Sequence, residues 1–146
     1  MIKGVSALVI DDQQIAMTFS QDRTLVLWDV IKGEPIRAMM DAKGFSIRKV
    51  ALSEDQRLLA VHGCEVALHS FPDCKFLGDS EDPESSSTLQ TMYITRDNSR
   101  VISGHCCGLI RVYGTGEGTE RKLLKRQDYF EREGGITNMV VTPDEK

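Results

Sequence analysis

The chain has 146 residues and a globular composition, enough for one compact domain with a substantial core. Its formal charge of -4 argues against a protein that lives on the phosphate backbone, since that mode needs a basic face, so no nucleic-acid partner is expected. The opening Met-Ile-Lys-Gly-Val-Ser lacks the apolar core of a secretory signal, no apolar stretch approaches the roughly 18 residues of a membrane span, and Cys64, Cys74, Cys106 and Cys107 are irregularly spaced. A cytoplasmic protein with reduced thiols and no membrane partner is therefore expected.

Along the chain, period-2 alternation predicts strands over 5–10, 15–20, 24–29 and 34–40, with turns at 11–13, 21–23 and 31–33 built from Asp, Gln, Lys and Gly. A second group follows at 47–52, 57–61, 65–70 and 75–77. A third comprises 89–94, 100–104, 109–113 and 121–125, and a last strand is predicted at 136–141. No segment reads as a helix.

These groups repeat. Asp12, Asp55, Asp97 and Asp144 each close an apolar run and open a polar turn, at intervals of 43, 42 and 47 residues. A period of 40 to 45 residues filled with short strands is that of propeller blades, which bury their faces only against their neighbours. The expected fold is all-β: an incomplete β-propeller spanning 1–146, with four-stranded antiparallel blades at about 4–44, 45–88 and 89–135 and the first strand of a fourth at 136–141. Such an open arc has unpaired faces and edges, which predicts association, and reads as a fragment of a longer propeller.

The run Met17-Thr18-Phe19-Ser20-Gln21-Asp22-Arg23-Thr24-Leu25-Val26-Leu27-Trp28-Asp29 resembles the signature of the WD-repeat family, and Ile102 to Tyr113 falls in the same register two units later. In that family an Asp of the turn, a Ser or Thr of the second strand, the Trp and a His preceding the first strand form a buried polar network. The resemblance implies this structural role for Asp22, Thr18 and Trp28, and in the third unit for Ser103 and Tyr113. The departures are specific. The family's His would fall near Lys43, Ser85 and Arg132; His69 takes the Trp position of the second unit, and Cys107 stands where the third unit would carry Asp. A network lacking a member leaves a polar group to water or unsatisfied, at about 1–3 kcal/mol each.

The resemblance implies a non-catalytic scaffold for protein–protein interaction, whose partners are other proteins or peptides or the missing blades of its own full-length chain. The rim carrying the turns between second and third strands presents Gln21 and Arg23; with Arg48, Tyr129 and Phe130 these are the candidate partner-binding residues. The linker 79–88 is acidic and serine-rich, a solvated loop or a tether phosphorylatable at Ser80, Ser85, Ser86 or Ser87. In the linker 126–135, Tyr129 and Phe130 could anchor a peptide or fold back under the loop. The alternative is the sensor portion of a nucleotide-driven signalling ATPase or propeller enzyme whose chemistry lies elsewhere.

Catalytic and cofactor readings fail on local chemistry. Gly114-Thr115-Gly116-Glu117-Gly118-Thr119 joins two strands and lacks the Lys-Ser/Thr of a phosphate cradle. His62, Cys64, His69 and Cys74 match no zinc spacing, and Cys106-Cys107 beside His105 has no group to orient a base. No metal and no cofactor are expected.

Overall fold

In the computed structural model the described residues are 2–10, 13–40, 46–63, 65–80, 88–116, 126–130 and 135–142. Among them twelve strands form three sheets and there is no helix. The first sheet has the order β1 (Ile2–Ile10), β2 (Gln13–Ser20), β3 (Thr24–Asp29), β4 (Glu34–Met40). The second runs β5 (Lys49–Leu52), β6 (Leu58–His62), β7 (Val66–Ser70), β8 (Phe76–Asp79), and the third β9 (Leu89–Ile94), β10 (Arg100–His105), β11 (Leu109–Gly114), β12 (Arg126–Phe130). Each is an antiparallel meander in chain order; short turns force most neighbours to pair antiparallel, and β12 returns to β11 across a longer connection. The chain divides into two compact units, Met1–Val50 with His62–Cys64 and Ala51–Val61 with Glu65–Lys146.

Within the first unit, β2 and β3 bury Ile15, Met17, Phe19, Leu25 and Leu27 on one face, while Ala16, Thr18, Val26 and Trp28 on the other are half-buried. The β3–β4 turn is closed by Asp29, whose Oδ1 accepts the N–H groups of Ile31 (3.0 Å) and Lys32 (2.9 Å). In the second unit the core is a seam between sheets. Leu58, Ala60, Val66 and Leu68 of the second sheet pack against Ile94, Val101 and Tyr113 of the third, each at most 3% exposed. Leu59 and Val61, on the opposite face of β6, are buried as well, so this strand is buried throughout, His62 included, rather than alternating.

Two segments differ from expectation. The fourth strand of the third sheet is 126–130, paired from Tyr113↔Arg126 to Leu109↔Phe130, whereas the predicted strand 121–125 lies outside the described residues. Tyr129 and Phe130 therefore belong to a sheet rather than to a linker. Aromatic residues favour the pleated surface, and the glycine-rich connection after β11 is long enough to delay the return. The segment 136–141 carries strand-like residues but is not a strand. Ile136 N–H donates to His105 O (3.1 Å), and no ladder is formed over 137–142 among the described residues. A strand exists only where a partner edge supplies the hydrogen bonds, and here none is in place.

Candidate interaction surface

The turns that open the second strand in the second and third sheets are built on the same plan, 42 residues apart. In one, Ser53 Oγ donates to Asp55 Oδ1 (2.7 Å) and accepts the N–H groups of Arg57 (3.1 Å) and Leu58 (2.9 Å). In the other, Thr95 Oγ1 donates to Asp97 Oδ1 (2.7 Å) and accepts Arg100 N–H (3.0 Å). Gln56 and Asn98 adopt positive φ, 56° and 59°, at the same step. A hydroxyl and a carboxylate two residues apart thus satisfy backbone donors that the turn would otherwise leave dry.

The turns also bind one another. Asn98 Nδ2 donates to Asp55 Oδ2 (2.6 Å), and Arg96 forms a two-pronged pair with Glu54 through Nε–Oε2 (2.7 Å) and the second guanidinium nitrogen to Oε1 (3.1 Å). Carboxylate Oδ2 of one turn is the acceptor for an amide of the next. None of this is local in sequence, so single-turn reading misses Arg96 and Asn98; the only signal is the Asp interval.

The electrostatics follow from these donors. At Asp55 burial acts to raise the carboxyl, and the hydrogen bonds from Ser53, Arg57 N–H and Asn98 outweigh it, leaving the group below its ordinary value. Asp97 is held down to about 2, first by Ser99 N–H and then by the Thr95 hydroxyl. A carboxyl lower in the folded than in the unfolded state contributes stability that is fully present above the unfolded value of 3.8 and lost as pH falls from there through about 2. Denaturant titrations across this window are expected to show an acid limb that Asp97→Asn makes shallower; an unchanged limb refutes the assignment.

The predicted network residues are placed as follows. Trp28 Nε1 donates to Thr18 Oγ1 (2.9 Å) across neighbouring strands. Asp22 is exposed and serves its own turn, accepting Thr24 N–H (3.0 Å) and the Thr24 hydroxyl. Ser103 Oγ lies 3.1 Å from His105 Nε2, both side chains almost fully buried, and Tyr113 is in the seam core. His105 stands at the register of Ser20, a position the sequence gives no reason to associate with Ser103.

Of the candidate partner-binding residues, Gln21 and Arg23 are exposed in the β2–β3 turn, with Arg23 at φ 75°. Gly108 takes the same step in the β10–β11 turn at φ 80°, and Cys106 and Cys107 are exposed there. Arg48 is exposed, and its N–H donates to His62 O (2.8 Å). Tyr129 and Phe130 lie on β12. Gln21, Arg23 and Arg48 belong to the first compact unit, and Tyr129 and Phe130 to the second. The linker serines Ser85, Ser86 and Ser87 lie outside the described residues; Ser80 N–H donates to Val66 O (3.0 Å). Among the described residues no cluster of three or more His, Cys, Asp or Glu side chains could hold a metal ion.

Beside the third sheet lies a groove of about 560 Å³, lined on one side by Thr95, Asp97, Arg100 and Ile102 and on the other by 139–142. The segment enters it over Gly104, where a Cβ would stand 2.7 Å from Ile136 Cγ2 and 2.9 Å from Thr91 Cγ2. Only a residue without a side chain allows that approach.

The fold is shared with solved structures. The chain is similar to the structure of U3-55K (TM-score 0.67, 15% identity, covering 92% of this chain and 40% of that one). It is similar also to the crystal structure of RRP9 WD40 repeats (0.67, 16%, 92% and 40%). A chain of the crystal structure of the mitotic checkpoint complex matches at TM-score 0.71 and 13% identity, with 99% of this chain and 44% of that one covered. The fold is that of a WD40-repeat propeller. The chain spans about two fifths of the length of these structures. No family model matches the sequence, and no curated protein matches it.

Proposed function

We propose that this chain is a non-catalytic WD-type interaction module of the cytosol, made of three blades and binding protein or peptide partners through exposed rim loops such as the β2–β3 and the β10–β11 turn. The observation that carries this reading is the coexistence of exposed turn residues, Gln21, Asp22, Arg23, Cys106 and Cys107, with strands whose alternate side chains are buried. Loops held by a rigid sheet lose little freedom on binding, so less of the interaction energy is spent on ordering them. The module displays; it supplies no reacting group.

Selection of a displayed peptide library against the chain tests this. Enriched peptides are expected to lose about tenfold in affinity on Arg23→Glu, about 1.4 kcal/mol. They should be unaffected by Lys32→Glu in the β3–β4 turn at the opposite end of the same sheet. Absence of enrichment, peptides that follow Lys32 instead, or ATP binding by the chain alone would overturn the reading.

A further inference from the structure

Cys106 and Cys107 are the two corner residues of the β10–β11 turn, which Gly108 N–H closes onto His105 O (3.1 Å). Both are exposed, whereas Cys74, on the β7–β8 turn, is partly buried. β10 is paired with β9 and β11, and β11 with β10 and β12, so the turn projects from the end of the third sheet. A further sheet stacked on either face leaves such a tip open. The neighbouring His105 is turned inward, 1% exposed with Nε2 3.1 Å from Ser103 Oγ, so the reactive groups at the tip are the two sulfurs.

The backbone beneath these thiols is where the chain enters and leaves the sheet. Cys106 N–H donates to Thr88 O (2.9 Å), one residue before β9. Ile136 N–H donates to His105 O (3.1 Å), so that carbonyl serves two donors. Gly135 lies against the Cys106 carbonyl so closely that a Cβ there would stand 2.3 Å from its oxygen. This carbonyl belongs to the peptide unit that joins Cys106 to Cys107, and the unit turns as one rigid plane. Any rotation of it therefore presses on Gly135 and disturbs the bonds at His105 O.

We propose that Cys106 and Cys107 form a reversible oxidation site, closed to an internal disulfide by a hydroperoxide, and that closure loosens the Gly135–Ile136 connection from the third sheet. First, one sulfur attacks the peroxide O–O bond and takes a hydroxyl group, becoming a sulfenic acid. The departing oxygen leaves with the thiol proton as water or an alcohol. The neighbouring sulfur then displaces that hydroxyl, which leaves with the second thiol proton as water, and the S–S bond forms. The two thiols give up two electrons, and the peroxide takes them. The ring is strained, because consecutive Cα atoms lie about 3.8 Å apart across a trans peptide and disulfides usually span about 4.4–6.8 Å, so the connecting peptide must twist. Strain keeps the bond easily reduced, which suits a transient switch in a reducing compartment. It also acts on the very carbonyl that lies against Gly135. The site sits on a loop proposed above for partner binding but requires no partner, and the chemistry modifies the chain itself rather than a substrate.

Hydrogen peroxide added to the reduced chain tests this. The intact mass is expected to fall by one pair of hydrogens, with peptide mapping placing the bond between Cys106 and Cys107 and dithiothreitol restoring the starting mass. In the oxidised chain, amide hydrogen exchange at Gly108 and Ile136 is expected to quicken about tenfold, as for a local opening. Exchange at Leu58 and Arg100, whose N–H groups are held by Ser53 and Thr95, should stay the same. Cys107→Ser is expected to stop at a sulfenic acid on Cys106, trapped by dimedone, with exchange at Ile136 unchanged. Cys106→Ser should fail to close the ring in the same way. The wild-type measurements stand alone should either variant misfold. Thiols that do not react, a bond to Cys64, Cys74 or a second chain instead, or a closed ring with unchanged exchange at Ile136 would overturn the proposal. Peptide binding at the rim is measured separately, so failure of the one leaves the other legible.

Discussion

Leu68→Ala is expected to lower the unfolding free energy by about 3 kcal/mol, within the range of buried Leu→Ala changes in close-packed cores. Leu68 is fully buried, at 0% exposure, in the seam that joins the second and third sheets through Ile94, Val101 and Tyr113. Truncation removes three carbons on the side of the sheet that has no water to refill the space, and the strands on both sides are fixed by ladder hydrogen bonds, so the hole persists. Chemical denaturation read by far-ultraviolet circular dichroism measures it. Phe76→Ala, at a half-exposed position on the outer strand of the same sheet, is expected to cost less than a third as much. Equal losses at the two sites would contradict the seam as the main source of cohesion.

The second large effect is expected at Ser53. Its hydroxyl holds Asp55 and accepts two backbone N–H groups, and the residue is 2% exposed. Ser53→Ala strands the buried Leu58 N–H, while Arg57 N–H keeps its bond to Asp55 Oδ1 (3.1 Å), at about 2 kcal/mol. Ser53→Thr is expected to restore most of the loss, because Thr95 performs the same task at the equivalent position of the third sheet. If Thr fails to rescue, the two turns are not equivalent in the way their hydrogen bonds indicate.

How much of this was legible in the sequence depends on how local the cause is. The strands at Thr24–Asp29, Glu34–Met40 and Leu89–Ile94 have the bounds that alternation and turn residues predict, because each decision lies within a few residues. The strand at Arg126–Phe130 begins Arg-Gln-Asp, which has no apolar alternation; only pairing with β11 selects it. Conversely, 136–141 has the right residues and lacks an edge to pair with. The bonds from Asn98 to Asp55 and from Arg96 to Glu54 join residues about forty apart, and only the recurrence of Asp at a fixed interval hints at them. At the candidate surface, the exposed turn holding Gln21 and Arg23 follows from its polar residues, whereas the grouping of Ile102, Ile110 and Val112 on one half-buried face needs the whole sheet.

The matched construction of the Ser53 and Thr95 turns has a consequence for how such a chain changes length. A cut made at the same step of both turns, with the ends rejoined, removes 42 residues yet returns every backbone donor to a hydroxyl or carboxylate of the same kind. Duplication across those points adds a module on equal terms. Size in this architecture is therefore quantised, and recombination between two such turns yields shorter or longer arrays without rebuilding a single hairpin.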